Sequence, residues 1–109
     1  MPAIEIKKSD WKLFRERLPE WQEKYMEKLV AEYADYLQSD LPASTKFWEM
    51  EERIKEDKRR PGVMLSLEKK NVDYDLMRLM KDGAIKEADL DGFSQELIDR
   101  VIELTKVRG

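Results

Sequence analysis

Apolar residues recur every four positions along residues 21–37, and this spacing constrains the fold more than any other feature of the chain. The series consists of Trp21, Tyr25, Leu29, Tyr33 and Leu37. Because an α-helix has 3.6 residues per turn, such a stripe winds slowly around the helix axis and can contact more than one neighbouring helix. The series predicts a helix from Pro19 to about Gln38.

Four other segments also have the apolar spacing of helices. The predicted helices run from Ser9 or Asp10 to Leu18, from Pro19 to about Gln38, from Ser44 or Thr45 to about Arg59, from about Glu68 to Lys81, and onward from a cap at Ser94. Proline lacks a backbone N–H and glycine ends helices readily, so Pro19, Pro42, Pro61-Gly62 and Gly83 are the expected breaks. The third helix is expected to bury Phe47, Met50 and Ile54, with Trp48 beside them.

Two short segments alternate apolar and polar residues, which is typical of strands. Residues 3–7 contain Ile4 and Ile6, and residues 63–67 contain Val63 and Leu65. They either pair as two short β-strands or, in the second case, form a packed loop. The sequence therefore predicts an all-α or nearly all-α bundle of about five helices. A length of 109 residues without repeats or linkers predicts that residues 1–109 form a single domain.

The chain contains neither histidine nor cysteine. This removes the commonest general base, the commonest transition-metal ligand, thiolate chemistry and disulfides. We therefore expect no catalytic residue, no metal and no cofactor, although paired carboxylates leave carboxylate chemistry open. No apolar run is long enough to span a membrane, and the first residues lack the apolar core of a signal peptide. These features favour a cytoplasmic protein without a membrane partner.

The segment from Asp89 to Gly92 resembles part of a calcium-binding loop. If Gly92 is placed at position six of the EF-hand pattern, Glu87, Asp89 and Asp91 fall at positions one, three and five. Position twelve requires a bidentate glutamate but is occupied by Ile98. The segment is therefore expected to form a turn rather than a calcium site.

Charge is distributed unevenly along the chain. Residues 1–18 carry a net charge of +2 and residues 53–60 carry +3, whereas residues 19–40 carry −4 and residues 82–99 carry −5. If the two basic segments meet, they form a patch that can contact phosphates or an acidic protein. A strongly acidic face can instead imitate the phosphates of a nucleic acid and occupy a basic cleft.

Nine residues are candidates for contacting a partner. They are Lys8, Lys12, Arg15, Arg53, Lys58, Arg59, Arg60, Tyr36 and Tyr74. The two tyrosines fit the apolar stripes poorly, and exposed aromatic residues are enriched at interfaces. The other stripe aromatics are expected in the core, and these are Trp11, Trp21, Trp48, Tyr25 and Tyr33.

Several motifs together resemble a group of small helical bacterial proteins that share no catalytic motif. The motifs are the segment Lys8–Glu23, Phe47-Trp48 with Arg53-Ile54-Lys55, Pro61-Gly62-Val63, Asp82-Gly83-Ala84-Ile85, and Leu90-Asp91-Gly92-Phe93-Ser94. Size and composition are also similar to those of anti-CRISPR inhibitors. The bipolar charge, the many aromatic residues and the missing catalytic chemistry predict a non-catalytic regulator or inhibitor that binds a protein, such as a nuclease or a nucleoprotein complex, and the analogy with these inhibitors agrees with this prediction. The alternative is a nucleic-acid-binding module that uses the basic residues of the N-terminus and of 53–60.

Overall fold

The computed structural model describes residues 4–108, with the backbone alone at positions 107 and 108. Four α-helices lie within this range: α1 (Lys8–Leu37), α2 (Ala43–Asp57), α3 (Val72–Lys81) and α4 (Gln95–Arg108). Short 3₁₀ turns occupy Lys69–Asn71 and Glu87–Leu90. The all-α class is confirmed, with one helix fewer than predicted. No helix within these residues combines the length and apolar character needed to cross a membrane.

The β pairing, which the sequence left open beside a packed loop, does not form among the residues that the structure describes; these include both segments except Ala3. Neither residues 4–7 nor residues 63–67 form a strand. Ile6 is buried in the core, and Ile4 packs against the core while partly buried. The backbone N–H groups of Val63 and Met64 both donate to the carbonyl oxygen of Arg60, at 2.9 Å each. The second segment therefore begins in the turn that ends α2 and continues as an irregular loop.

Helix α1 continues through Pro19, and the break predicted there is wrong. An internal proline costs about 3 kcal/mol because it removes one backbone hydrogen bond and crowds the preceding turn. Here the buried stripe runs unbroken past the proline, from Phe14 and Leu18 to Trp21. Pro19 itself is exposed, so its ring displaces no packed side chain. Burial of the stripe on both sides outweighs the local cost.

The predicted caps are partly correct. Helix α2 begins at Ala43, directly after Pro42, rather than after Ser44 or Thr45. Ser94 does cap α4, because its Oγ accepts the backbone N–H of Leu97 at 3.3 Å. The carboxylate of Asp10 accepts two hydrogen bonds from Ser94, at 2.8 Å from the backbone N–H and 2.6 Å from Oγ. This contact links the start of α1 to the start of α4.

The core lies at one end of the molecule, between the first half of α1, α3 and α4. Its completely buried side chains are Phe14, Val72, Leu76, Leu79 and Val101. The segment between α3 and α4 closes this core with Ile85, Leu90 and Phe93. Gly92 lies in that segment with φ of 99°, a left-handed conformation that glycine adopts at little cost.

The second half of α1 and all of α2 form a helical hairpin that extends from this core. The molecule is elongated, with extents of 51 × 26 × 22 Å. Asp57 is the one buried residue of α2, and Phe47, Trp48 and Ile54 are 66%, 60% and 37% exposed. The prediction that α2 buries an apolar face with Trp48 beside it is therefore wrong. The apolar side chains of α2 stay exposed because α1 covers only one side of this helix. Helices α3 and α4 pack against the first half of α1 instead.

The hairpin joins the core at Pro61-Gly62, where the predicted helix break is confirmed. Both residues are buried against α1, and Gln22 Nε2 donates to the carbonyl oxygen of Pro61 at 3.0 Å. A Cβ atom at Gly62 would lie under 3.0 Å from three carbon atoms of the Tyr25 ring. Glycine is needed at this position because the turn touches the ring directly.

Candidate protein-binding surfaces of the helical hairpin

A cleft of about 720 Å³ lies between α1 and α2, and we call it the acidic cleft. Six carboxylates line it: Glu32, Glu49, Glu52, Glu56, Asp57 and Asp82. Three cations face them: Lys28, Arg53 and Arg60. The whole hairpin has the same sign, since residues 19–58 carry eleven acidic and six basic residues. The cleft therefore presents a negative potential to solvent.

The floor of the acidic cleft is a closed network around Asp57, which is 6% exposed. Arg60 Nε donates to Asp57 Oδ1 at 3.0 Å, and the Tyr33 hydroxyl donates to Asp57 Oδ2. Arg53 pairs with both Asp57 and Glu32. Arg60 also reaches Asp82, with Nη1 3.7 Å from Oδ1. Both arginines are thus committed to carboxylates within the protein.

Ionisation of this network is fixed at neutral pH. Burial would raise the pKa of Asp57, but hydrogen bonds from Tyr33 and Arg60 and the charges of Arg53 and Arg60 outweigh it, so the pKa is lowered. Burial and the hydrogen bond to Asp57 raise the pKa of Tyr33 to about 12. A carboxylate held ionised and a phenol held protonated do not exchange protons near pH 7. The network positions the two helices and provides no acid–base pair.

The rim of the acidic cleft carries three glutamates, of which Glu52 pairs with Lys55, whose Nζ lies 3.8 Å from Glu52 Oε1. Glu49, Glu52 and Glu56 lie along one side of α2, in a row about 10 Å long at a rise of about 1.5 Å per residue. Glu49 accepts a hydrogen bond from the Tyr36 hydroxyl, and all three glutamates are exposed. Trp48 stands at the same rim with 60% of its surface open to solvent. An exposed tryptophan beside carboxylates suits contact with a basic protein surface.

A second depression, the basic groove, lies where α2 and α3 approach each other. It has a volume of about 900 Å³, and its charged lining is Arg59, Arg60, Arg78 and Lys81 against Glu56 and Asp82. Tyr74, Pro61 and Met77 complete the lining. The structure thus brings three sequence-predicted residues, Arg59, Arg60 and Tyr74, into one groove.

The other predicted cations lie apart from this groove. Lys8, Lys12 and Arg15 are exposed on the first turns of α1, and the Arg15 guanidinium lies 4.9 Å from the Trp11 ring centroid. The segment after α2 contacts α1 at Gln22. Because α1 rises about 1.5 Å per residue, Lys12 lies about 15 Å from that contact along the helix. Two separate basic regions result.

Three further candidates have defined places on the hairpin. Arg53 belongs to the floor network, and its guanidinium also lies 5.0 Å from the Tyr33 ring centroid. Tyr36 is half-buried by its contact with Glu49. Lys58 is exposed on a third surface, the apolar side of the hairpin.

The calcium-like segment forms the expected turn. Asp89 Oδ2 accepts the backbone N–H of Lys86 at 2.7 Å, which occupies the carboxylate within the turn. Arg17 donates to the backbone carbonyl oxygens of Asp89 and Asp91. Across residues 4–108, no three acidic side chains are grouped closely enough to hold a metal ion.

Sequence reasoning missed five residues of these surfaces. Trp48, Glu52 and Glu56 are spaced four apart on α2, so their common side was readable from the sequence as an acidic stripe with an aromatic residue. No sequence pattern indicated Arg78 and Lys81. Their position beside Arg59 depends on the path of residues 61–71, which the sequence does not predict. Comparisons with models of protein families, with curated proteins and with solved structures found no match to the chain.

Proposed function

We propose that this protein is a non-catalytic regulator that binds a basic surface of a partner protein through its acidic cleft. In its narrowest form the partner is a nuclease or nucleoprotein complex, and the cleft occupies the site of nucleic-acid phosphates. The observation that carries the proposal is the acidic rim of the hairpin with Trp48 exposed in it. A cytoplasmic location accompanies the proposal, because a chain without cysteine suits a reducing compartment.

Electrostatics supports this choice of partner. The arginines of the cleft are paired with carboxylates, so the row Glu49, Glu52 and Glu56 faces an incoming molecule and outnumbers the remaining cation, Lys28. Complementary charge accelerates encounter and suppresses partners of the wrong sign. A basic protein surface is attracted to this rim, whereas the phosphates of a nucleic acid are repelled.

Trp48 supports a protein rather than a small-molecule partner. Tryptophan is enriched among the few residues that dominate the binding energy of protein interfaces. Its ring contacts Phe47 edge-on, with the centroids 4.9 Å apart, so the side chain is supported from one side and open on the other. The acidic cleft is a shallow surface between two helices, which suits a protein epitope better than an enclosed ligand.

Capture from a bacterial lysate tests the proposal. The immobilised wild-type protein is expected to retain one dominant protein, and retention should fall as salt is raised. A variant with Trp48→Ala, Glu52→Lys and Glu56→Lys should lose that protein. Retention by this variant equal to that of the wild type would contradict the proposal.

The matched control changes the same charges away from the hairpin. Glu87→Lys with Glu103→Lys adds the same two lysines at exposed positions near the core end. This control should capture the partner as the wild type does. Equal loss in both proteins would mean that net charge, rather than the acidic cleft, governs binding.

A nucleic-acid-binding module is the second candidate function, and the basic groove favours it. Arg59, Arg78 and Lys81 lie in one groove with Tyr74, which is 44% exposed. Cations can contact phosphates there, and an exposed aromatic ring can stack on a base.

For this second candidate, the expected result is retention of labelled single-stranded DNA or RNA at low salt. Binding should weaken as salt is raised, and Arg59→Glu with Lys81→Glu should abolish it. Fluorescence anisotropy measures both effects. An unchanged anisotropy at the lowest salt would remove the second candidate and leave the protein-binding proposal intact.

A further inference from the structure

Exposed apolar residues cover the side of the hairpin that faces away from the acidic cleft, and we call them the apolar strip. The strip consists of Val30, Leu37, Phe47, Met50 and Ile54. Phe47, Val30 and Leu37 are 66%, 61% and 47% exposed. Two adjoining grooves of about 440 and 270 Å³ run along the strip and share Ile54 and Lys58 in their linings. Contiguous exposed apolar surface of this kind marks an interaction site.

Charged residues on the strip are arranged in a fixed order along α2. Phe47, Glu51, Ile54 and Lys58 follow one another at spacings of four, three and four, so they share one side of the helix. Lys55 lies beside this row and also lines the larger groove. The acidic residue thus lies toward the tip of the hairpin and the two lysines lie toward its base.

We propose that a second copy of this chain covers the apolar strip, packed antiparallel to the first across a two-fold axis. The axis crosses α2 between Glu51 and Ile54. Glu51 of each copy then faces Ile54 of the other and lies within reach of Lys55 and Lys58, which follow Ile54 on the helix. The interface contains this set of charge pairs twice, as two-fold symmetry requires. A parallel arrangement would instead set Glu51 against Glu51 and lysine against lysine.

The same register provides a partner for the most exposed apolar residue. Phe47 of one copy lies opposite Lys58 of the other, so the aliphatic stem packs on the ring and the ammonium can lie over its face. Val30 and Leu37 add the α1 side of the hairpin to the contact. Two hairpins joined in this way form an antiparallel four-helix bundle. The glutamate row of the acidic cleft lies on the other side of each hairpin and remains open to the partner of the proposed function, whereas Trp48, whose ring contacts Phe47, lies at the edge between the two surfaces.

Sedimentation equilibrium from micromolar to submillimolar concentration tests the dimer. The wild type is expected at twice the chain mass of 13.0 kDa. Phe47→Glu places charges in the apolar contact and should weaken association roughly a hundredfold. Phe47 is exposed in a single chain, so the variant should keep its helical circular dichroism. A wild type that stays at 13.0 kDa throughout, or a Phe47→Glu variant that dimerises normally, would overturn the proposal.

A charge swap tests the antiparallel register. Glu51→Lys alone and the double variant Lys55→Glu, Lys58→Glu alone should each be monomeric, because each opposes like charges across the axis. A mixture of the two should form a heterodimer, since every opposed pair is then of opposite sign. Failure of the mixture to associate would overturn the register. Glu103→Lys, a charge reversal on α4, is the matched control and should dimerise as the wild type does.

The dimer and the proposed function can fail separately. Glu51→Lys leaves the acidic cleft unchanged and should capture the same protein from a lysate as the wild type. The variant with Trp48→Ala, Glu52→Lys and Glu56→Lys should lose that protein. Loss of capture with Glu51→Lys would contradict the placement of partner and second copy on different sides of the hairpin.

Discussion

Arg100→Met is expected to lower the free energy of unfolding by about 3–5 kcal/mol, because it leaves a carboxylate buried without its countercharge. Arg100 Nε lies 3.2 Å from Asp73 Oδ2, and the two residues are 5% and 2% exposed. Asp73 Oδ1 also accepts the backbone N–H of Tyr74, which holds the carboxylate in place. The pair joins the first turn of α3 to the middle of α4, so the loss should appear in cooperative unfolding by urea.

A double replacement separates the unpaired charge from lost packing. Asp73→Leu with Arg100→Met removes both charges and should be neutral or stabilising relative to the wild type, and so clearly more stable than Arg100→Met alone, since buried ion pairs contribute little net stability over apolar residues. A loss below about 1 kcal/mol for Arg100→Met, within the usual effect of a surface change, would contradict the account of this pair. Asp73 and Arg100 lie in α3 and α4, so neither variant changes a residue of the hairpin.

Asp75→Asn is expected to raise the free energy of unfolding at pH 7. This effect is opposite to that of Arg100→Met, which leaves Asp73 in the same helix without its countercharge. Asp75 is 5% exposed, and its Oδ2 has no hydrogen-bond partner among the described residues. Burial raises its pKa from 3.8 to about 6, and the charges of Asp73 and Glu68 add to the rise while Arg78, 3.8 Å away, opposes it. At pH 7 the carboxylate is ionised in a site that favours its neutral form.

The sign of the pH dependence follows from proton binding. Between pH 3.8 and about 6, the folded protein holds a proton on Asp75 that the unfolded chain has released. The contribution of Asp75 to stability is therefore greatest below pH 3.8, falls as pH rises to about 6, and is constant above that. One pKa unit corresponds to about 1.4 kcal/mol, so Asp75→Asn should gain about 1–3 kcal/mol at pH 7.

Comparison of wild type and variant at two pH values tests this expectation, because other titrating groups cancel in the difference. The gain from Asp75→Asn measured by urea unfolding at pH 7 should shrink toward pH 4. An equal gain at both pH values would mean that the amide improves packing rather than relieving a buried charge. A loss of stability at pH 7 would show that the ionised carboxylate is satisfied in the folded state.

The helices of this protein were largely readable from the sequence, whereas their burial was not. The stripe from Trp21 to Leu37 correctly predicted a helix over that stretch and its end, although not its start, and Ser94 gave the correct cap. The helix break predicted at Pro19 was wrong because local helix propensity carries no information on how much apolar surface is buried on either side of the proline. The apolar spacing of Phe47 and Ile54 resembles that of a core helix. Whether another helix covers such a face is decided by tertiary packing, which spacing does not report.

The candidate surfaces were predictable to a smaller extent. Charge sums indicated that the molecule is bipolar, and the acidic hairpin follows directly from the composition of residues 19–58. The grouping of Arg59 and Tyr74 with Lys81 depends on the turn at Pro61-Gly62 and on the loop that follows. Separation of the N-terminal lysines from that groove depends on α1 continuing through Pro19. Both are long-range consequences of how the hairpin leaves the core.

The central claim is that the acidic cleft, rather than the basic groove or the apolar strip, binds the partner protein. Dissociation constants of the captured partner for three variants test it most directly. These are Trp48→Ala with Glu52→Lys for the cleft, Glu51→Lys for the strip, and Arg59→Glu with Lys81→Glu for the groove. We expect the cleft variant alone to bind more weakly, by roughly tenfold or more. Unchanged binding by the cleft variant, or loss confined to the groove variant, would contradict the claim.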